Sequence, residues 1–318
     1  MGAEQTISKC AVLLTVYNGR QYLEEQMKSI LNQTDVQVTV FASSDISNDG
    51  SEALLDKLAA IDERIVILPH GMKFGGAARN FFRLIRDVDL SRFDYISFAD
   101  QDDIWHVDKL IKAVTILKKS DHDGYSSNVM AFWPNGKRKL IHKAQPQSQW
   151  DFIFEAAGPG CTYVMSRKLM QAIKQCMQEN WEALQSVSLH DWFCYAFARA
   201  NGYKWHIDAE PSMLYRQHGK NQVGVNFGLK AYIYRLKKMT NGWWLSQANL
   251  IASLIGMREN PFVKSWTRLG RLDLLRLAGK AFQCRRNVQE KFVFLLMCLI
   301  LAITGQQEKI NNLNTNRY

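Results

Sequence analysis

Between Cys10 and Lys119 the chain alternates short β-branched runs with segments of helical period, and this alternation restricts the fold more than any other feature. Cys10–Val16 is a strand pattern of small and branched residues, broken by Asn18–Gly19. In Gln21–Leu31, Tyr22, Met27, Ile30 and Leu31 share one helical face. Val36–Ala42 reads as a second strand, Glu52–Ile61 as a helix, Ile65–Leu68 as a third strand and Ala77–Arg86 as a helix. Tyr95–Ala99 is a fourth strand, and the helix Asp108–Lys119 follows it. Connections this short fit βαβ units, so the expected fold is α/β, with a doubly wound, mostly parallel sheet flanked by helices. From Ser126 to Tyr215 short strands and helices mix, including a tight loop at Gly158–Thr162 and a helix over Asp191–Ala200.

Sites in such sheets lie at the carboxyl ends of the strands. Tyr17, Asn18, Asp45, Asp100 and Asp102 all fall there. Carboxylates at i and i+2, as in Asp100-Gln101-Asp102, can divide their work between a ribose and a divalent cation, Mg²⁺ or Mn²⁺, that neutralises a diphosphate. Thr15, Tyr17 and Asn18, with Asp45, offer a ring to stack on a nucleobase and a carboxylate to accept its imide N–H. Asp191, in Leu189-His190-Asp191-Trp192, stands at a helix start, where nearby negative charge would tune it as a general base. Arg216 and His218, in Tyr215–Gly219 with Asn221 and Gly224 beyond, offer a phosphate partner and a metal or diphosphate ligand. Gly75–Gly76, with Arg79 beside it, lets backbone N–H groups approach an anion at a helix start. It is neither a Walker A sequence nor a G-x-G-x-x-G fingerprint, so nucleotide hydrolysis and dinucleotide binding have no motif. Each piece alone also has a plain reading as a solvated turn, a helix cap or a surface loop.

The 318 residues are 47% hydrophobic and 22% charged, an ordinary globular balance that argues against disorder. Six cysteines without a C-x-x-C pair read as reduced, buried thiols in a cytosolic compartment. The longest apolar run, Phe292–Ile303, falls short of the roughly 20 residues a spanning helix needs. From Asn226 onward there are 15 Lys+Arg against 4 Asp+Glu, while the rest holds 25 against 26, so the basicity belongs to the tail. Together with Trp243, Trp244, Trp266 and many leucines, that suits a membrane interface better than a DNA groove, and no nucleic-acid partner is expected. The plainer alternative is a set of packing helices with a solvated basic face.

Taken in order, Thr15–Gly19, Ser43–Ser51, Gly76–Phe81, Asp100–Trp105, His190-Asp191-Trp192 and Tyr215–Gly219 resemble family-two inverting glycosyltransferases of the GT-A fold, in particular the bacterial rhamnosyltransferase-like subgroup. The resemblance implies a nucleotide-sugar donor, a divalent cation, and a glycan or lipid-linked acceptor in surface polysaccharide synthesis. It further implies that Thr15, Tyr17 and Asp45 hold the base, Asp100 the ribose or phosphate, Asp102 and His218 the metal, and that Asp191 is the base. One turn departs from the family's Asp-Asp-Gly-Ser-x-Asp-Gly: here Ser44 and Ile46 replace an acid and a glycine, and Ile46 would tolerate a positive φ poorly. The expected domains are 1–225, with a nucleotide-sugar half to about 110 and an acceptor half to 225, and a basic amphipathic helical tail over 226–318. The expected location is cytoplasmic, peripheral on the inner membrane surface. A non-catalytic relative and a nucleotidyltransferase are the competing readings.

Overall fold

The computed structural model describes residues 7–219 and 242–304; Asn221, Gly224 and the first part of the tail lie outside the described residues. The chain divides into two compact units, one of 1–144 with 157–222 and one of 145–156 with 223–318.

In the first unit the order is β1 (Ser8–Val16), α1 (Arg20–Leu31), β2 (Val36–Ser44), α2 (Ser51–Ile61), β3 (Ile65–Ile67), α3 (Ala77–Asp87), β4 (Tyr95–Asp100), β5 (Ile104–Trp105) and α4 (Lys109–Ser120). Then come β6 (Gly124–Ser127), β7 (Val129–Phe132) and β8 (Arg138–Ile141). After α5 (Asp151–Phe154), which belongs to the other unit, follow β9 (Val164–Ser166), α6 (Arg167–Glu179), α7 (Trp181–Leu184), α8 (His190–Ala200), β10 (Trp205–Asp208) and β11 (Met213–Arg216). The main sheet runs β10-β6-β9-β4-β1-β2-β3. Strand β1 is buried along nearly its whole length and lies parallel between β2 and β4, which is why it reads as an unbroken apolar run. Helix α1 covers it with Leu23, Met27 and Ile30, and α3 with Phe81, Phe82, Leu84 and Ile85. Each such side chain contributes about 1.5–3 kcal/mol on burial.

The register decides where a ligand can sit. Thr15 pairs with Ser43 on one side and Asp100 on the other, so three strand ends finish level at a switch in strand order. The main sheet is mostly parallel, as expected, with β9 running antiparallel to both β4 and β6. A second sheet, β5-β11-β7-β8, carries Arg216 up to the turn after β4. Ile46 is not among the described non-glycine residues with positive φ, so it fits this loop without strain, whereas Asn18 adopts φ 48°, a conformation Asn tolerates.

The second unit has its own core. Phe154, from α5, packs against Trp244, Trp266 and Phe294 at ring distances of 5.1–5.5 Å. Arg286 and Asp151 are both fully buried and pair at 2.8 Å, with Glu155 3.3 Å from the same guanidinium. These contacts recruit 145–156, which the sequence reading assigned to the first domain. Trp266, expected at a membrane interface, is instead completely buried. No described helix is long and apolar enough to cross a membrane.

Candidate active site

The loops after β1 and β4 are joined by one side chain. Gln101 accepts the Tyr17 N–H through Oε1 and donates through Nε2 to the Tyr17 carbonyl, each at 2.8 Å, so its amide extends the β1–β4 ladder by a rung. A Cβ on Gly19 would overlap that amide, which explains the glycine. The Tyr17 ring is 58% exposed and open for stacking, beside a nearly buried Thr15. Asn18 accepts the Asn48 N–H at 2.9 Å and ties this loop to the β2 turn.

Asp45 accepts three backbone N–H groups, from Ile46 and Phe74 at 3.0 Å and from Gly75 at 2.8 Å. A carboxylate offers about four acceptor positions, so room for one further donor remains. The anion approached by the Gly75 N–H is thus the protein's own Asp45. Arg79, expected at the donor, braces the same loop, donating to the Gln185 carbonyl at 3.0 Å and to that of Phe74 at 3.4 Å.

The acidic turn is where the structure gathers most of the expected residues. Asp102 Oδ2 lies 2.7 Å from His218 Nε2, and the His218 ring stacks on Tyr22 at 5.0 Å. Arg216 does not hang free for a phosphate. Its N–H donates to Asp103 at 3.1 Å, its Nε to the Asp102 carbonyl at 2.8 Å, and its guanidinium lies over the Tyr22 and Phe132 rings and pairs with Glu25. Its planar fork locks β11 to the turn. Burial, with Asp102 and Asp191 nearby, pushes Asp100 up to about 7. Asp103 is pushed up in the same way, and its Oδ2 is buried without a partner. Cys161 joins Asp100 and Asp103 in a knot of possible ligand atoms within 4.8 Å of one another. Behind it, Lys109 is completely buried, 3.3 Å above the Trp105 ring, and burial lowers it to about 7.

Asp191 lies in the first turn of α8, one residue past its start, so it is not the cap; Leu189 holds that position. Burial raises its carboxyl to about 6, against backbone N–H donors from Trp192 and Gly160. His190 stacks on Phe81 at 3.9 Å and meets Phe98 edge-on, and burial lowers it to about 3, so it is a neutral packing residue.

The sequence profile of glycosyl transferase family 2 matches residues 11–170. A dTDP-rhamnosyl transferase, RfbG of Shigella flexneri, is 43% identical over 291 residues, covering 91% of this chain and 100% of that protein. The chain belongs to glycosyltransferase family 2. A putative teichuronic acid biosynthesis glycosyltransferase of Bacillus subtilis, TuaG, is 30% identical over 49% of this glycosyltransferase and 60% of its own length. Among solved structures, S. aureus TarS 1-349 in complex with UDP aligns with TM-score 0.55 at 12% identity, covering 98% of this chain and 92% of that one. The mannosyltransferase PcManGT of Pyrobaculum calidifontis, in complex with GDP-Man and Mn²⁺, aligns with TM-score 0.51 at 13% identity, over 95% and 88%. These neighbours share the GT-A fold with this glycosyltransferase.

Sequence reasoning placed Gln101 and Asp103 in the acidic turn but gave no separate role to either, nor to Lys109, Gly160 or Cys161. Gly160 and Cys161 carried a usable signal, because a Gly-Pro-Gly turn before a strand marks a close backbone approach.

Proposed function

We propose that this enzyme transfers rhamnose from a deoxythymidine-diphosphate donor to a lipid-linked glycan, with inversion, in bacterial surface polysaccharide synthesis. The observation that carries the donor is the end-to-end similarity to a dTDP-rhamnosyl transferase. Family membership sets aside the nucleotidyltransferase reading, and the end-to-end similarity to a transferase supports a catalyst over a non-catalytic relative.

In this reading Tyr17 stacks on the thymine, Thr15 lies beside it, and the remaining acceptor position of Asp45 takes the imide N–H. Asp100 takes the ribose or phosphate. A cation site fits the residues present. Asp102 and His218 pair an oxygen with an imidazole nitrogen at 2.7 Å, and the crowded carboxylates that raise Asp100 favour a positive charge. The Asp100–Asp103–Cys161 knot suits a catalytic cation less well, because Asp103 is 1% exposed and leaves no opening for a diphosphate. When bound, Mg²⁺ or Mn²⁺ stabilises the charge developing on the leaving diphosphate. Asp191 takes the acceptor hydroxyl proton as that oxygen bonds to the anomeric carbon. The bond from that carbon to the diphosphate breaks, and the diphosphate leaves with the electron pair. In this reading the basic tail is what meets the cytoplasmic face of the membrane, which its 15 Lys+Arg against 4 Asp+Glu support.

The test is a panel of dTDP-rhamnose, UDP-glucose and GDP-mannose, with Mg²⁺, Mn²⁺ or EDTA, scored for nucleotide release and sugar transfer. Turnover of dTDP-rhamnose that EDTA abolishes is expected. Preference for a uridine or guanosine donor would overturn the donor, and activity in EDTA would overturn the metal.

A further inference from the structure

We propose that the exposed face of the last described helix, with the arginine-bearing helix packed beside it, is a docking surface for an anionic lipid bilayer. This rests on the reading that the acceptor is carried by a membrane lipid and names the surface that meets it.

The helices of the second unit after α8 are α9 (Trp243–Leu254), α10 (Pro261–Lys264), α11 (Arg271–Ala278), α12 (Ala281–Cys284) and α13 (Val288–Thr304). From Phe292 to Ile303, α13 has no polar or charged residue. One side of it is core, with Phe294, Met297, Cys298, Leu301 and Ala302 buried. The other side is Val288, Phe292, Leu296, Ile300 and Ile303, each 46–78% exposed. Spacings of three and four residues put these five on a single stripe about 22 Å long. Phe282 widens the stripe, meeting Phe292 edge-on at 5.2 Å while 51% exposed itself. A surface helix of a water-soluble domain normally turns polar residues outward, and from Phe292 to Ile303 this one does not. The stripe exposes roughly 500 Å² of apolar surface, at the upper end of what soluble monomers show.

Charge selects the occupant. Residues 242–304 hold 9 Lys+Arg and 3 Asp+Glu, a net +6. The three acids pair within the unit: Asp273 with Arg276, Glu290 with Arg285, Glu259 with Lys264. Arg268, Arg271 and Lys280 are exposed and make no ion pair among the described residues. On α11, Leu272 and Leu275 stand exposed between Arg271 and Arg276. A second copy on this face would bring positive charge against positive charge. A nucleic acid would gain little from a stripe of aliphatic side chains. An anionic bilayer takes both, the stripe entering the acyl boundary and the cations meeting the headgroups. The apolar run is too short to span, and half of it is core, so the helix lies in the interface plane.

The experiment uses the full chain with vesicles of phosphatidylethanolamine and phosphatidylglycerol, and separately with phosphatidylcholine alone. Co-sedimentation with the anionic vesicles and weak retention on the neutral ones is expected. Leu296→Gln with Ile300→Gln should reduce partitioning on the order of 100-fold, by removing two inserted aliphatic groups. Arg268→Gln, Arg271→Gln and Lys280→Gln together lie on exposed positions that leave the core intact, and should cut binding to anionic vesicles alone, by about 5-fold per charge. dTDP binding in solution should not change in either variant, which separates this surface from the donor reading. No binding by the wild-type chain, or unchanged binding by the two variants, would overturn the proposal. So would a dimer in light scattering that Leu296→Gln with Ile300→Gln dissolves, since the occupant would then be a second copy.

Discussion

Replacing Gly160 with alanine should slow sugar transfer while sparing nucleotide binding. A Cβ at this position would lie 2.6 Å from His190 Nε2 and 3.1 Å from Asp191 Cβ. The backbone at 160 is not in the left-handed region, so alanine meets no torsional penalty and the cost is contact alone. His190 cannot retreat, because Phe81 stacks on it at 3.9 Å and Phe98 closes its edge. The start of α8 must therefore shift, and the Asp191 carboxylate moves with it. Overpacking of this kind costs about 1–3 kcal/mol of stability. A displacement near 1 Å at a reacting group costs about 100-fold in rate. The assay compares kcat for transfer, the dTDP dissociation constant and the thermal midpoint in both proteins. A large fall in kcat with near-normal dTDP affinity is expected. Adding His190→Ala empties the space the methyl needs, so the double variant should recover more activity than additivity allows. Wild-type kcat in Gly160→Ala, with only the melting temperature lowered, would refute the reasoning, because the strain would then be absorbed away from Asp191.

Burial raises Asp191 to about 6, and a general base works ionised, so kcat/KM should fall tenfold per pH unit below about pH 6 and level off above it; an acid limb near pH 4 would remove Asp191 from that role. Asp191→Asn should bind dTDP normally and transfer at a pH-independent floor, read by calorimetry and a stopped assay. Asp102→Asn and His218→Ala should each weaken Mn²⁺ binding, followed by electron paramagnetic resonance, with the fold retained by circular dichroism; unchanged Mn²⁺ affinity in both would move the cation elsewhere. Arg286→Met removes the cation paired with the fully buried Asp151 carboxylate and should cost about 3–5 kcal/mol in chemical denaturation; a loss below about 1 kcal/mol would show that water reaches the pair.

Strand ends were readable in the sequence because β1, β2 and β4 are long enough to show their pattern, and each stops at a polar residue. Their shared register then brings Thr15 and Asp100 together without further information. The second sheet was invisible for the opposite reason. β5 has two residues and β11 four, too short for any period, and their pairing is fixed by the Arg216 fork on the acidic turn. Arginine partners were hidden too. A guanidinium with five N–H donors satisfies carbonyls as readily as phosphates, and the structure gives both Arg79 and Arg216 partners within the protein. Charged residues in the core were equally hidden, since a sequence cannot distinguish a solvated Lys109 or Asp151 from a buried one.

The crowding of acids at the strand ends argues for function over stability. Asp100 holds its proton more tightly in the folded chain, at about 7, than an unfolded carboxyl does. The stabilisation this gives is complete below the unfolded value near 4 and is lost as pH rises toward about 7. At neutral pH the fold therefore carries crowded acids whose ionisation is opposed first by burial and then by one another, a cost that well-packed apolar residues would not impose. Lys109 does not cancel this, since its own burial lowers it to about 7. A positive charge from outside the chain is what the cluster lacks, and the Asp102–His218 pair lies at its edge. The arrangement that costs the fold stability is thus the one that, under the proposed function, would favour a cation at the meeting point of β1 and β4.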